Sequence, residues 1–402
     1  MAMHESSDSG HSPDAHRDFS LVRGGPFFDL LHRLRLVDDA MEWVPRRVVV
    51  LVLLTWLPLL LLSTFEGHLF GSGTSAAFLN DIDVHARYLV ALPLFLVAEV
   101  MAHRRLRFLP QEFLERDLIP GKAKIQFDAA VASARRLSES KLAEALLIGL
   151  IYGAGIMMAW HQYISLDKLT WYATPTADGP RLTLAGMWFS FVSLPMFQFL
   201  MLRWQYRVLI WGRFIWQVSR IKLSLIPTHP DCLGGLGFLS SKMRAFVPLV
   251  AAYGALLAGQ IALRIFHAGA QLTDYKVEIA LLVGFLLLEL IVPMLFFTRQ
   301  LEALQRYGGR KYGTLAQRCA REFDAKWLRG TPPDEPLLGS ADIQSLADMG
   351  NSFGVVRGIG FIPVTKEAVL MIVVATLLPI APLVLTMMPL NELLRKFAGI
   401  FF

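Results

Sequence analysis

Cysteine is nearly absent: Cys232 and Cys319 are the only two in 402 residues. The two thiols are isolated from each other, which is poor evidence for zinc, and both fall in segments assigned below to the cytoplasm. Neither a disulfide framework nor a bound metal is therefore expected. Charge is also scarce. Asp, Glu, Lys and Arg make up only 18% of the chain against 54% apolar residues, where a soluble domain carries about 25% charge. Catalytic signatures are missing too, with no HExxH, CxxC or Ser-His-Asp order. Gly234-Gly235-Leu236-Gly237 lacks the following Lys-Ser/Thr of a phosphate loop, and His229-Pro230-Asp231 lacks the basic helical hairpin of a J-domain co-chaperone. No cofactor is expected. The net charge of +6 comes without a basic stripe typical of a nucleic-acid fold, so nucleic acid is not an expected partner.

The first 20 residues are polar and lack the apolar core of a secretory signal. They read as a disordered tail, and His4, His11 and His16 as scattered solvated residues rather than metal ligands.

What is present in abundance is long apolar runs. Seven approach the roughly 20 residues needed to cross a bilayer. They are Val48–Ser63, Tyr88–Ala102, Leu142–His161, Leu184–Leu202, Phe246–His267, Val277–Phe297 and Ala368–Met388. The expected fold class is an all-α integral membrane protein with about seven transmembrane helices and a helical cytoplasmic region. Lys and Arg orient it: with the N-terminus inside, 32 of the 39 fall on the cytoplasmic side. The expected location is a bacterial inner membrane, N-terminus cytoplasmic and C-terminus periplasmic. The bilayer itself and anionic lipids on the cytoplasmic side are the expected partners. A homo-oligomer is compatible with this pattern. Trp43 precedes the first span, Trp160 ends the third, and Trp171 and Tyr172 sit in an outer loop; such rings favour the headgroup level.

The cytoplasmic mass lies in three places. The fourth helix has no proline between Pro195 and Pro227, so it is expected to run from 184 to 222, past the membrane. The 104–141 loop reads as helical. The 299–366 segment reads as a helical subdomain, interrupted at Tyr307-Gly308-Gly309, resuming at Thr314–Trp327, and restarting after Ser340 with Asp342 in the first turn. Thr365 is suited to cap the last span. Spans one to three and five to seven run in the same directions and carry the related fragments Ala123–Gln126 and Ala341–Gln344, the pattern of a parallel repeat.

Three charges fall inside spans, where they are costly and face the protein interior. Glu289 is deep in the sixth span, Glu99 near the inner end of the second, and Arg264 in the outer part of the fifth. Arg264 is within reach of Asp274 or Glu278 across the outer hairpin, as a structural pair or a snorkelling charge. Glu289 is either a neutral hydrogen-bonded carboxyl or a proton- or cation-handling one. The broken segment from Ile226 to Leu239 is the other unusual feature. His229, Asp231, Gly234, Gly235 and Gly237 there suit either a re-entrant loop with an anion or ion site, or a tightly packed turn.

Pro227-Thr228-His229-Pro230-Asp231 with Gly234–Phe238, and the run Asp342–Phe353, resemble segments shared by a family of bacterial polytopic inner-membrane proteins. The resemblance covers most of the chain from the fourth span onward and implies no activity. From the residues themselves, a small-ion channel or transporter is the first expectation. A signalling or scaffold protein that recruits a cytoplasmic partner is the alternative. A membrane enzyme with a cytoplasmic-face site comes third.

Overall fold

The computed structural model describes residues 20, 24–34, 44–70, 77–155, 170–176, 179–329 and 336–387. Five helices are long and apolar enough to cross a membrane. They are α2 (Val44–Phe65), α3 (Ile82–Glu115), α6 (Leu184–Ser219), α7 (Phe238–Ala268) and α8 (Leu272–Leu295). Around them lie α1 (Pro26–Arg33), α4 (Lys124–Ser138), α5 (Lys141–Leu150), α9 (Thr298–Trp327), α10 (Ala341–Arg357) and α11 (Lys366–Leu377). A two-stranded hairpin, β1 (Ala173–Thr176) and β2 (Gly179–Leu182), is antiparallel with Thr174 opposite Arg181.

Seven spans were expected and five meet the criteria of length and hydropathy. The expected third span is described only through Gly155, where α5 passes into a π-helical turn, Ile151–Gly155; its remainder lies outside the described residues. The expected seventh span is broken. Its helix ends at Leu377, and a 3-10 segment Ala381–Thr386 follows, because Pro379 and Pro382 supply no N–H to continue the ladder. The expected disordered tail, with His4, His11 and His16, and the edge residues Trp43 and Trp160 also lie outside the described residues.

Burial separates the spans. About a fifth of the apolar window of α2 and α8 is buried, against half or more in α3, α6 and α7. The latter three form the centre. In α7, small residues allow close approach, as expected for helices packing without a hydrophobic drive between them. A Cβ on Gly254 would collide with the Thr376 carbonyl of α11, and one on Gly259 would meet Ala86 and Asp83 of α3. In α3 and α6, π-helical turns at Ala86–Ala91 and Phe189–Ser193 immediately precede Pro93 and Pro195. Each widened turn accommodates a ring that lacks a donor.

The fourth apolar run does continue as a rod: α6 is 36 residues, roughly 54 Å at 1.5 Å per residue. The expected break at Gly308 does not occur. The helix α9 is continuous for 30 residues. Gly308 serves close packing instead, since a Cβ there would meet Pro227 at 2.8 Å and Val356 at 2.9 Å. The start of α10 is as expected in place, but Asp342 turns to α9, accepting from Lys326 Nζ at 2.6 Å and Trp327 Nε1 at 3.0 Å. These two donors hold its carboxyl below the usual carboxylate range. Thr365 caps α11 by accepting from the Ala368 N–H at 3.3 Å. Trp171 is fully buried within the protein, its Nε1 donating to Asp81 Oδ2 at 2.9 Å, with Phe78, Tyr172 and Phe189 packed edge-on around it.

Candidate functional site

Glu99 sits at the centre of a buried charge cluster. Its Oε1 accepts from Arg207 Nη1 at 2.6 Å and Arg203 Nη1 at 3.2 Å, and its Oε2 lies 3.1 Å from Arg47 Nη2. Arg203 also pairs through Nε with Glu144 Oε1 at 2.9 Å and donates to the Gly24 carbonyl. Glu144 Oε2 in turn accepts from the Phe27 N–H at 2.8 Å. Four helices, α2, α3, α5 and α6, and the start of α1 therefore meet at one knot. Arg203 and Arg207 are four residues apart on α6, so both guanidinium groups face the same way. The cluster contains three guanidinium groups and two carboxylates, all at most 6% exposed in their side chains. Its acid is fully engaged by cations, which makes Glu99 a structural clamp and a poor site for a transported ion.

Glu289 is placed differently. It lies half-buried on α8, one turn before Pro293, and faces Gln205 of α6. Tyr253 of α7 is near enough to interact with it electrostatically. No ion pair involves it among the described residues. Beside it, α6 and α8 enclose an open groove of about 980 Å³. The walls are apolar: Val208, Leu209, Phe285, Leu288, Val292 and Phe296. Arg213 and Trp216 stand at the end of the groove toward the C-terminus of α6. The helices touch closely at Gly212, where a Cβ would come within 3.2 Å of the Pro293 ring. The site thus offers one carboxyl and one amide in an otherwise apolar cleft between two spans, with the Arg213 guanidinium at its end.

The Gly/Pro segment between α6 and α7 is a closed knot. Asp231 Oδ1 accepts from the N–H groups of Leu233 at 2.8 Å and Gly235 at 3.1 Å, and Oδ2 accepts from Gly237 at 2.8 Å. His229 Nδ1 lies 2.8 Å from the same carboxylate. Burial pushes this carboxyl up, but the three backbone donors and His229 outweigh it and hold it below the usual range. Gly234 and Gly235 adopt φ of +65° and +100°, which only glycine takes without strain. A Cβ on Gly237 would sit 2.9 Å from Asp231 Oδ2. The loop also docks sideways: Cys232 O accepts from the Gly360 N–H, and Gly234 O from that of Ile226. The backbone donors that an anion would need are consumed by Asp231, so of the two expectations the packed turn fits. His229 and Asp231 are brought together, as the sequence suggested, but in the service of the turn.

Arg264 is exposed on α7, with its guanidinium 5.7 Å from the Tyr275 ring centroid. Among the described residues it forms no ion pair with Asp274 or Glu278. Asp274 is occupied elsewhere: its Oδ2 accepts from the Gln271 N–H at 2.9 Å in a capping box. Among the described residues, Glu99, Arg264 and Glu289 form no ion pair with one another. Among the described residues no three His, Cys, Asp or Glu side chains gather as metal ligands.

Sequence reasoning missed Arg47, Arg203, Arg207 and Glu144 as partners of Glu99. The only local hint was the i, i+4 spacing of two arginines in an apolar helix. Compared with family models, curated proteins and solved structures, the chain matches none.

Proposed function

We propose that this is a polytopic transport protein of a bacterial inner membrane, with the groove at Glu289 as its substrate site. The chain is placed with its N-terminus in the cytoplasm and its C-terminus in the periplasm, on the Lys and Arg distribution. One observation carries the reading: a membrane carboxyl with no ion-pair partner among the described residues faces a 980 Å³ apolar cleft.

The chemistry of the cleft narrows the substrate. A bare inorganic cation takes six to eight oxygen ligands, or a rigid octahedron of them. Here Glu289 and Gln205 are the only oxygen-bearing side chains lining the groove. An amphipathic organic cation needs only one counter-charge, because apolar walls cover the rest of it. Leu209, Phe285 and Leu288, which line the cleft, are exposed and suit entry of such a cation from the lipid phase.

Titration calorimetry in detergent micelles with tetraphenylphosphonium tests this. Glu289→Gln should weaken binding at least about tenfold, the effect of losing about 1.4 kcal/mol. Arg264→Gln, outside the groove, should leave it unchanged. Equal binding by wild type and Glu289→Gln would remove the reading.

A scaffold role is the second reading, favoured by the hairpin of α9 and α10. Its buried residues lie at its base, at Leu301, Leu304, Gly308 and Val356, while Leu315, Leu328 and Leu338 are exposed farther out. Under that reading, Leu315→Ser with Leu328→Ser abolishes capture of a cytoplasmic partner and leaves cation binding intact.

A further inference from the structure

The rod α6 ends at Ser219, and the chain runs on extended through Leu225 along the flank of α9. Between them is a pocket of about 460 Å³. Its floor is apolar, made by Ile221, Leu223 and Leu304. Arg220 and Lys222, two residues apart, both line it and are both exposed. Neither is in an ion pair among the described residues. Tyr307, half-exposed, adds a hydroxyl on the α9 side.

The carbonyl end of a helix normally attracts such cations to itself. Here that demand is met by another group: Gln300 Nε2 donates to Ser219 O at 2.6 Å and to Ile221 O at 2.8 Å. Gln300 is thus spent on the backbone, and the two cationic side chains remain available to a ligand.

We propose that this pocket binds a phosphate-bearing anion, with Arg220 and Lys222 as its charge partners and Tyr307 as a hydrogen-bond donor. A guanidinium and an ammonium together satisfy a phosphate better than either does alone, since one offers a planar fork and the other a mobile point charge. The apolar floor accepts the carbon skeleton attached to it. The phosphate can come from an anionic lipid headgroup or from a soluble phosphate ester. The site is separate from the Glu289 groove and shares no lining residue with it.

The test is thermal unfolding of the full chain in nanodiscs, in two arms. One arm compares phosphatidylcholine discs with discs containing phosphatidylglycerol. The other adds inorganic phosphate or glycerol 3-phosphate to phosphatidylcholine discs. A saturable rise in Tm is expected in at least one arm, and which arm responds identifies the source. Arg220→Gln with Lys222→Gln should abolish the rise or weaken half-saturation at least tenfold. Arg220→Lys with Lys222→Arg, which keeps both charges, should restore most of it. Arg104→Gln, an exposed cytoplasmic cation outside the pocket, should not affect it. No rise in either arm, or a rise that survives the double Gln variant, overturns the proposal.

Discussion

Replacing Glu99 by Gln is the most informative single change. The side chain keeps its size, so no cavity forms and the effect is electrostatic. In the native cluster, Arg47, Arg203 and Arg207 face Glu99 and Glu144, a net charge of +1. Glu99→Gln raises this to +2 in a buried site. Each guanidinium contact near 4 Å is worth about 4 kcal/mol of gross attraction at an effective dielectric of 20. Desolvation and repulsion between neighbouring guanidinium groups cancel much of that. The net loss on deleting one member of a buried pair is about 3–5 kcal/mol. Arg47→Gln is the counterpart. It lowers the net charge to 0 and leaves Glu99 with two cations, so the loss is about that of one charge-assisted hydrogen bond, roughly 1.5–3 kcal/mol. Equilibrium unfolding in mixed micelles measures both. The order expected is wild type above Arg47→Gln above Glu99→Gln. Glu99→Gln as stable as wild type, or less damaging than Arg47→Gln, would refute the clamp.

Other perturbations follow from the same packing. Asp231→Ala removes the acceptor of three backbone N–H groups and should cost roughly 2–4 kcal/mol in the same unfolding measurement, with the loop between α6 and α7 cleaved faster by protease. Because the Asp231 carboxyl is held low in the folded chain, its stabilisation is fully present above the unfolded value of about 3.9 and is lost as pH falls through the folded one. The stability gap between wild type and Asp231→Asn should therefore hold steady from pH 7 to 5 and shrink only in stronger acid; a gap that closes between pH 7 and 5 would contradict this. Gly254→Ala places a methyl against the Thr376 carbonyl and should destabilise by about 1–3 kcal/mol, read as loosened α11 in hydrogen exchange. Gly284→Ala has open space and should be neutral in that experiment.

The spans were legible because a bilayer imposes a length and an apolar composition that a single sequence displays. The rod of α6 was legible for a related reason: no proline interrupts the chain between Pro195 and Pro227, although the helix stops at Ser219, three residues short of the expected end. Other features escaped because they depend on distant partners. Arg203 meets Glu144 and Glu99 across 59 and 104 positions, and Arg207 meets Glu99 across 108. No local periodicity records such pairs, so the arginines read as basic residues scattered on a rod. Gly308-Gly309 read as a helix break by composition, yet the packing of Pro227 and Val356 against Gly308 uses the missing side chain and keeps the helix whole. The segment from Ile226 to Leu239 was conspicuous from its prolines and glycines. Its role was ambiguous because one Asp can either bind a ligand or close a turn, and only the three N–H distances decide between them.

Glu289 is proposed to give an amphipathic cation a path through the protein. Ethidium uptake into proteoliposomes, set beside sodium and potassium flux in the same vesicles, tests it most directly. Ethidium should enter faster than into protein-free vesicles, the excess should be lost in Glu289→Gln but not in Arg264→Gln, and sodium and potassium flux should not depend on the protein. Ethidium entry at the protein-free rate, or entry unchanged by Glu289→Gln, would contradict it.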